Sequence, residues 1–138
     1  MLWPTVEEII EHNECAVAIT SEPHQLRDRN TLESALLGLH QKQLYVPEQF
    51  GDDERTAVIS AAAQLCVTLS QRQCFLQGNK RTAALTLIQM IEMNGFEFTM
   101  GNDEDFAEII LSAAIGLYDA DDISSSIEPF VSPLADLW

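Results

Sequence analysis

Four consecutive residues, Gly78, Asn79, Lys80 and Arg81, have the types and spacing to hold an anion. They lie in the stretch Q-C-F-L-Q-G-N-K-R-T-A-A-L-T-L-I-Q-M-I-E-M-N-G, residues 73–95. Read as a loop feeding a helix, the stretch puts Gly78 and Asn79 at the junction, where the first backbone N–H groups of a helix lack internal acceptors. Such an end attracts negative charge. Lys80 and Arg81 then fall in the first turn, where the helix dipole disfavours cations and a helix built only for stability would carry Asp or Glu. Arg72, Lys80 and Arg81 are three of only seven basic residues, in a chain whose formal net charge is −15. A phosphate group could gather backbone donors, dipole and cationic side chains here. Composition alone leaves a second reading open, in which Gly78-Asn79 is a turn and the two cations neutralise nearby carboxylates.

The elements that must position this stretch follow from periodicity. Thr5 and Glu8 form a capping-box pattern, and Val6, Ile9, Ile10, Ala16 and Val17 recur at helical spacing, predicting a first helix over about residues 5–19. Residues 20–30 are polar, carry Pro23 and read as a loop. Asn30 with Glu33 suggests the next cap, ahead of an apolar stripe at Leu32, Ala35, Leu36 and Leu39. Residues 45–53, with Pro47 and Gly51, read as a connection. Residues 56–69 are apolar nearly all round, which predicts a central buried helix whose alanines let neighbours approach closely. A second buried helix is expected over about residues 79–93, stopped by Asn94-Gly95, so the motif loop is held between two buried helices. Phe96-Glu97-Phe98-Thr99 alternates like a short strand. Asn102 or Asp103 is expected to cap a helix with a core-facing stripe at Phe106, Ile109, Ile110, Ala113 and Leu117, and residues 123–127 suggest one more, stopped near Pro129. The apolar tail, about residues 129–138, is expected to fold back over the domain; docking into another chain is the alternative.

The stretch F-L-Q-G-N-K-R-T-A resembles the central motif of the Doc (death-on-curing) branch of the Fic/Doc family, H-x-F-x-[DE]-[AG]-N-K-R-T-A. Seven ordered positions match: Phe75, Gly78, Asn79, Lys80, Arg81, Thr82 and Ala83. Upstream, L-R-D-R-N-T-L-E-S-A, residues 26–35, resembles the family's G-x-R-D-x-x-x-L-x-x-A segment, and residues 8–12 resemble its first helix. The resemblance covers roughly residues 5–98. It implies an all-α fold, a Fic/Doc-like helical bundle around a buried central helix preceded by the motif loop. The chain is accordingly read as one domain over residues 1–138, with the loop and central helix at about 72–95.

The resemblance also implies chemistry. In the family the nucleotide's phosphates sit on the Gly/Asn loop and helix N-terminus, the acidic residue helps hold magnesium, and the His takes a proton from a hydroxyl of a target protein. Fic members generally transfer a nucleotidyl group, whereas the Doc branch is implied to phosphorylate a translation elongation factor. Carried over, Gly78, Asn79, Lys80 and Arg81 become the phosphate-binding positions, ATP or another nucleotide the cofactor, and Phe75 a buried anchor for the loop. The family's catalytic His falls on Gln73 and its acidic residue on Gln77. A carboxamide has no usable basicity near neutral pH, and loss of a positioned general base costs about 10²–10⁴ in rate. Magnesium prefers carboxylate and phosphate oxygens, and Gln77 offers only a neutral carbonyl. The expected protein is therefore a Doc-like toxin-type member that keeps a phosphate-binding loop and is weak, altered or inactive as a kinase or nucleotidyl transferase. The alternative is a non-catalytic interaction module on the same fold, binding an antitoxin or other protein through a helix groove. Cys74, beside Gln73, would be a substitute nucleophile if cations and a helix end lowered its pKa, but no base is paired with it in the sequence.

Composition bounds the rest. With 22 acidic residues against seven basic ones, the field of the protein repels nucleic acid and anionic membranes, so neither is expected as a partner. The carboxylates are read as a solvated surface, with an acidic face for a basic partner as the alternative. No apolar run approaches the length of a bilayer span and no leader pattern opens the chain, which predicts a cytoplasmic protein. Cys15, Cys66 and Cys74 lack metal-ligand spacing and are expected to be reduced, buried thiols, with no metal site. His12, His24 and His40 are read as polar or packing residues.

Overall fold

The computed structural model of the protein describes residues 1–19, 25–100 and 103–134. Among these, six α-helices and one two-stranded sheet make an all-α architecture: α1 (Val6–Ile19), α2 (Arg29–Tyr45), α3 (Glu54–Arg72), α4 (Asn79–Met93), β1 (Phe96–Phe98), α5 (Asp103–Ala114), α6 (Ala120–Ile127) and β2 (Val131–Pro133), with short 3₁₀ turns at Pro47–Gln49 and Glu128–Phe130. None of the helices is long and apolar enough to cross a membrane.

The middle of the fold is α3 against α4. Ala61, Ala62 and Ala63 are fully buried, as are Val58 and Cys66, and three successive small side chains let the partner helix approach closely. From α4 come Ala83, Leu87, Met90 and Ile91, all buried, and two buried threonines. Thr82 Oγ1 donates to the Gly78 carbonyl and Thr86 Oγ1 to that of Thr82, both at 2.7 Å, so these hydroxyls enter the core already satisfied. α1 packs on α4, while α2, α5 and α6 pack on α3. The two helices expected to be central are therefore the central ones, and α4 has the bounds the sequence suggested.

Helix starts follow side-chain capping. Thr5 and Glu8 make the expected reciprocal pair, 3.1 Å from Glu8 N to Thr5 Oγ1 and 2.9 Å from Thr5 N to Glu8 Oε1. Asp53 caps α3 by accepting from Thr56 N at 2.7 Å. Asp119 and Asp122 form a capping box on α6. At α2 the cap is Asp28, which accepts from Thr31 N at 3.2 Å, and not Asn30: the carboxylate two residues earlier reaches the N3 amide first.

Two more expectations are corrected. Leu117 is 68 % exposed, because α5 ends at Ala114 and Gly116, at φ 78°, turns the chain away from the stripe. Cys15 is exposed on α1, whereas Cys66 and Cys74 are buried. The cap suggested at Asn102, His24 and the last four residues of the tail lie outside the described residues. Nearer the domain, the tail folds back: Val131 pairs with Phe98 and Pro133 with Phe96, antiparallel, and Arg55 fastens the return by donating to the carbonyls of Glu128 and Val131. His12 bonds Gln89 at 2.6 Å and His40 packs its ring on Trp3, both ordinary structural roles.

Candidate functional site

The loop between α3 and α4 is held from three sides. α3 ends at Gln73, which adopts the left-handed conformation (φ 51°, ψ 54°) as C-cap and is the only non-glycine residue at positive φ among those described. An L-residue there carries backbone strain that glycine would avoid. Next, Cys74 and Phe75 are buried. On one side the segment ahead of α2 lies along the loop. Arg27 N donates to the Cys74 carbonyl at 2.8 Å, Leu76 N to Gln25 O at 2.9 Å, and Leu26 and Phe75 form an antiparallel bridge. Two stretches far apart in sequence thus share backbone hydrogen bonds.

The second restraint is Asn79. Its Oδ1 accepts from Phe75 N at 3.1 Å and its Nδ2 donates to Phe75 O at 2.9 Å, so the side chain closes the loop on itself. The third is Asn13 of α1, fully buried, whose Nδ2 donates to the Gln77 carbonyl at 2.8 Å and to Thr82 Oγ1 at 3.1 Å. Sequence reasoning passed over Asn13, although it sits on the apolar stripe of α1, four residues beyond Ile9 and four before Val17, where a polar residue signals a buried hydrogen-bonding task. Gly78 is at φ 76° with Val17 and Asn13 close by; a Cβ there would stand 3.0 Å from Val17 Cγ1 and 3.1 Å from Asn13 Nδ2. Both the conformation and the space require glycine.

These restraints leave the start of α4 open. Gly78 at its N-cap makes no side-chain cap bond, and Asn79's carboxamide is turned back to Phe75. The starts of α1, α2, α3 and α6 are each capped by a side chain, and the capping position of α5 lies outside the described residues. Lys80 and Arg81 are exposed on this first turn, and Arg81 donates to the Ala16 carbonyl, at 3.5 Å.

Two of the basic residues are paired with carboxylates: Arg29 is bound by Glu7 and Glu33, and Arg55 pairs with Glu128. Lys42, away from the loop, has no carboxylate partner among the described residues and donates to the neutral Gln64. Arg27, Arg72, Lys80 and Arg81 have no carboxylate partner among the described residues, and all four lie around this loop. The four do not share one cleft. Lys80 and Arg81 border an apolar groove of about 380 Å³ lined by Ala84, Phe106, Ile110 and Leu111. Arg27, Arg72 and Gln73 line a cleft of about 410 Å³ on the other side, with Asp28, Thr31 and Cys74. Gln77 is half-buried.

The two buried thiols offer no nucleophile. Burial pushes Cys66 up to about 12 and, despite the nearby Arg72 guanidinium, raises Cys74 as well. The activated Cys74 imagined from sequence is thus reversed: the side chain points into the core, where desolvation outweighs the cation. Residues 73–81 contain no carboxylate, and among the described residues no group of three or more His, Cys, Asp or Glu could hold a metal ion. The loop itself therefore offers a magnesium ion no charged oxygen.

A sequence model of the Fic/DOC family matches residues 3–91, from before α1 through nearly all of α4. No curated protein matches the chain.

Proposed function

Because this chain belongs to the Fic/DOC family, we propose that it is a Doc-like, single-domain member that binds the phosphates of ATP or another nucleotide at the start of α4. The observation that carries the proposal is the open, cationic helix start. Of the five α-helix starts whose capping position is described, that of α4 alone lacks a side-chain cap, and Lys80 and Arg81 stand on it without carboxylate partners among the described residues, in a chain of net charge −15. Two cations beside an uncapped N-terminus repel the dipole and each other unless an anion is present.

In this reading Gly78 admits the anion, the N–H groups of Asn79, Lys80 and Arg81 and the side chains of Lys80 and Arg81 bind it, and Asn13, the Asn79 carboxamide and Phe75 hold the loop in shape. Kinase or nucleotidyl transferase chemistry, the activity class of the family, is weakened, altered or lost. Gln73, in the place of the family His, cannot accept a proton, and Gln77, in the place of its acidic residue, supplies no charge for a metal. Saturating nucleotide is expected to raise the melting temperature and to shift the NMR signals of residues 76–82; absence of both effects would refute the proposal.

A second reading has its own observation, the apolar groove beside Lys80 and Arg81. It suits the apolar face of an amphipathic helix, as an antitoxin partner in a toxin–antitoxin pair would present in the cytoplasm, and the protein would then act as an interaction module rather than on a translation-factor target. A stable native partner whose binding survives Lys80→Ala with Arg81→Ala would favour this module over a phosphate site.

A further inference from the structure

The cleft on the opposite side of the loop is a different place from the start of α4. It is lined by Arg27, Asp28 and Thr31 from the α2 side and by Arg72, Gln73 and Cys74 from the end of α3. The two arginines come from separate elements and are brought together by the Leu26–Phe75 bridge and the bond from Arg27 N to the Cys74 carbonyl. We propose that this cleft is a receptor for a phosphate monoester dianion, gripped by the guanidinium groups of Arg27 and Arg72 and by the carboxamide of Gln73.

Three observations support it. First, neither arginine has a carboxylate partner among the described residues, although acidic residues outnumber basic ones threefold. Asp28 lies in the same cleft, but its oxygens are engaged in capping α2, accepting from Thr31 N at 3.2 Å and Thr31 Oγ1 at 2.6 Å. Second, Arg72 is favoured by the dipole at the C-terminal end of α3, but Arg27 precedes the N-terminus of α2, where a cation is disfavoured. An anion in the cleft gives both a reason to be there. Third, Gln73 is held in a strained left-handed conformation at the rim, and such strain collects where a side chain is aimed at a ligand.

The chemistry selects the ligand class. A guanidinium fork offers paired N–H donors that suit phosphate oxygens, and two such groups match the double charge of a phosphate monoester. A carboxamide N–H₂ adds a neutral donor that never competes for the proton. The group replacing a general base would thus serve recognition. The inference does not depend on nucleotide binding at α4, since the two places share no lining residue.

The test is an NMR titration of the full chain, at constant ionic strength, with inorganic phosphate, with a short phosphoserine peptide, and with acetate. The account expects saturable shifts at Arg27, Gln73 and Cys74 with both phosphates and none with acetate. Tighter binding of the peptide would identify a protein-borne phosphate, and equal binding a small free one. Arg27→Gln and Arg72→Gln change exposed side chains that make no hydrogen bond to the described residues, so the fold should persist, and each should weaken binding about fivefold or more. Lys80→Ala with Arg81→Ala should leave these shifts unchanged, separating this cleft from the α4 site. Absence of saturable shifts, equal shifts with acetate, or undiminished binding in the Arg27→Gln/Arg72→Gln double variant would overturn the inference.

Discussion

Asn79 and Phe75 are joined by a two-point clasp: the carboxamide of Asn79 accepts from the Phe75 amide and donates to the Phe75 carbonyl. One side chain satisfies both backbone groups of a residue whose own ring is buried, so it fixes the depth and direction of the loop together. Asn79→Ala is expected to cost about 1–3 kcal/mol, because a partly buried donor and acceptor lose their partner. Asn79→Asp keeps the acceptor and loses the donor, and should fall between the two. Urea denaturation of the three proteins checks this order; equal stabilities would show that the clasp contributes nothing.

Gly78 is restricted by both conformation and space. Gly78→Ala places a methyl group against Val17 and Asn13 at a φ that L-residues rarely adopt, with an expected loss of about 1–3 kcal/mol. Because it also shifts the first turn of α4, nucleotide binding should weaken together with stability. Melting curves with and without nucleotide would separate the two effects, and a variant as stable as the wild type would contradict the packing described.

Gln73 is the reverse case. Gln73→Gly should raise stability by about 1 kcal/mol, relieving a left-handed residue at the C-cap of α3. If Gln73→Gly instead destabilises the protein, the Gln73 side chain holds structure, and the loop account needs revision. Gln73→His asks a separate question, whether a base alone restores transfer; with Gln77 unchanged and no carboxylate in residues 73–81, activity is expected to stay low.

Stability should fall in acid through the capping carboxylates. The Thr31 hydroxyl and amide hold Asp28 below its usual 3.8, the Thr56 amide and hydroxyl do the same for Asp53, and the Thr5 amide holds Glu8 below 4.5. Native values below unfolded ones mean that the folded state binds fewer protons. The capping contribution is therefore complete above the ordinary carboxylate range and is lost as the pH drops through the lowered native values. Melting temperatures measured from about pH 6 to about pH 3 should decline, and Asp53→Asn should flatten part of that decline.

How far the sequence revealed this arrangement depended on whether a feature was local. α3 and α4 were legible because unbroken apolar periodicity has one stable use, burial, and Asn94-Gly95 marks a stop. The Asp28 cap was misplaced by two residues because Asp28, Asn30 and Thr31 all have capping chemistry and only backbone geometry chooses among them. Leu117 fitted the stripe of α5 in spacing, but Gly116 ended the helix first. The pairing of the residues ahead of α2 with the motif loop left no local pattern, since single backbone bridges join residues of any type. For the same reason the strain at Gln73 was invisible: a lone left-handed glutamine has no sequence signature. At the candidate site the anion-binding residue types were readable in order, but the division of the four unpaired cations between two clefts was not.

Lys80 and Arg81 are the residues on which the proposed phosphate site at the start of α4 stands or falls. Its most direct test is calorimetry of ATP binding, with and without magnesium, on the wild type and on Lys80→Ala with Arg81→Ala. The account predicts saturable one-to-one binding by the wild type, little changed by removing magnesium, and none by the double variant. No binding by the wild type, or equal binding by both proteins, would contradict it.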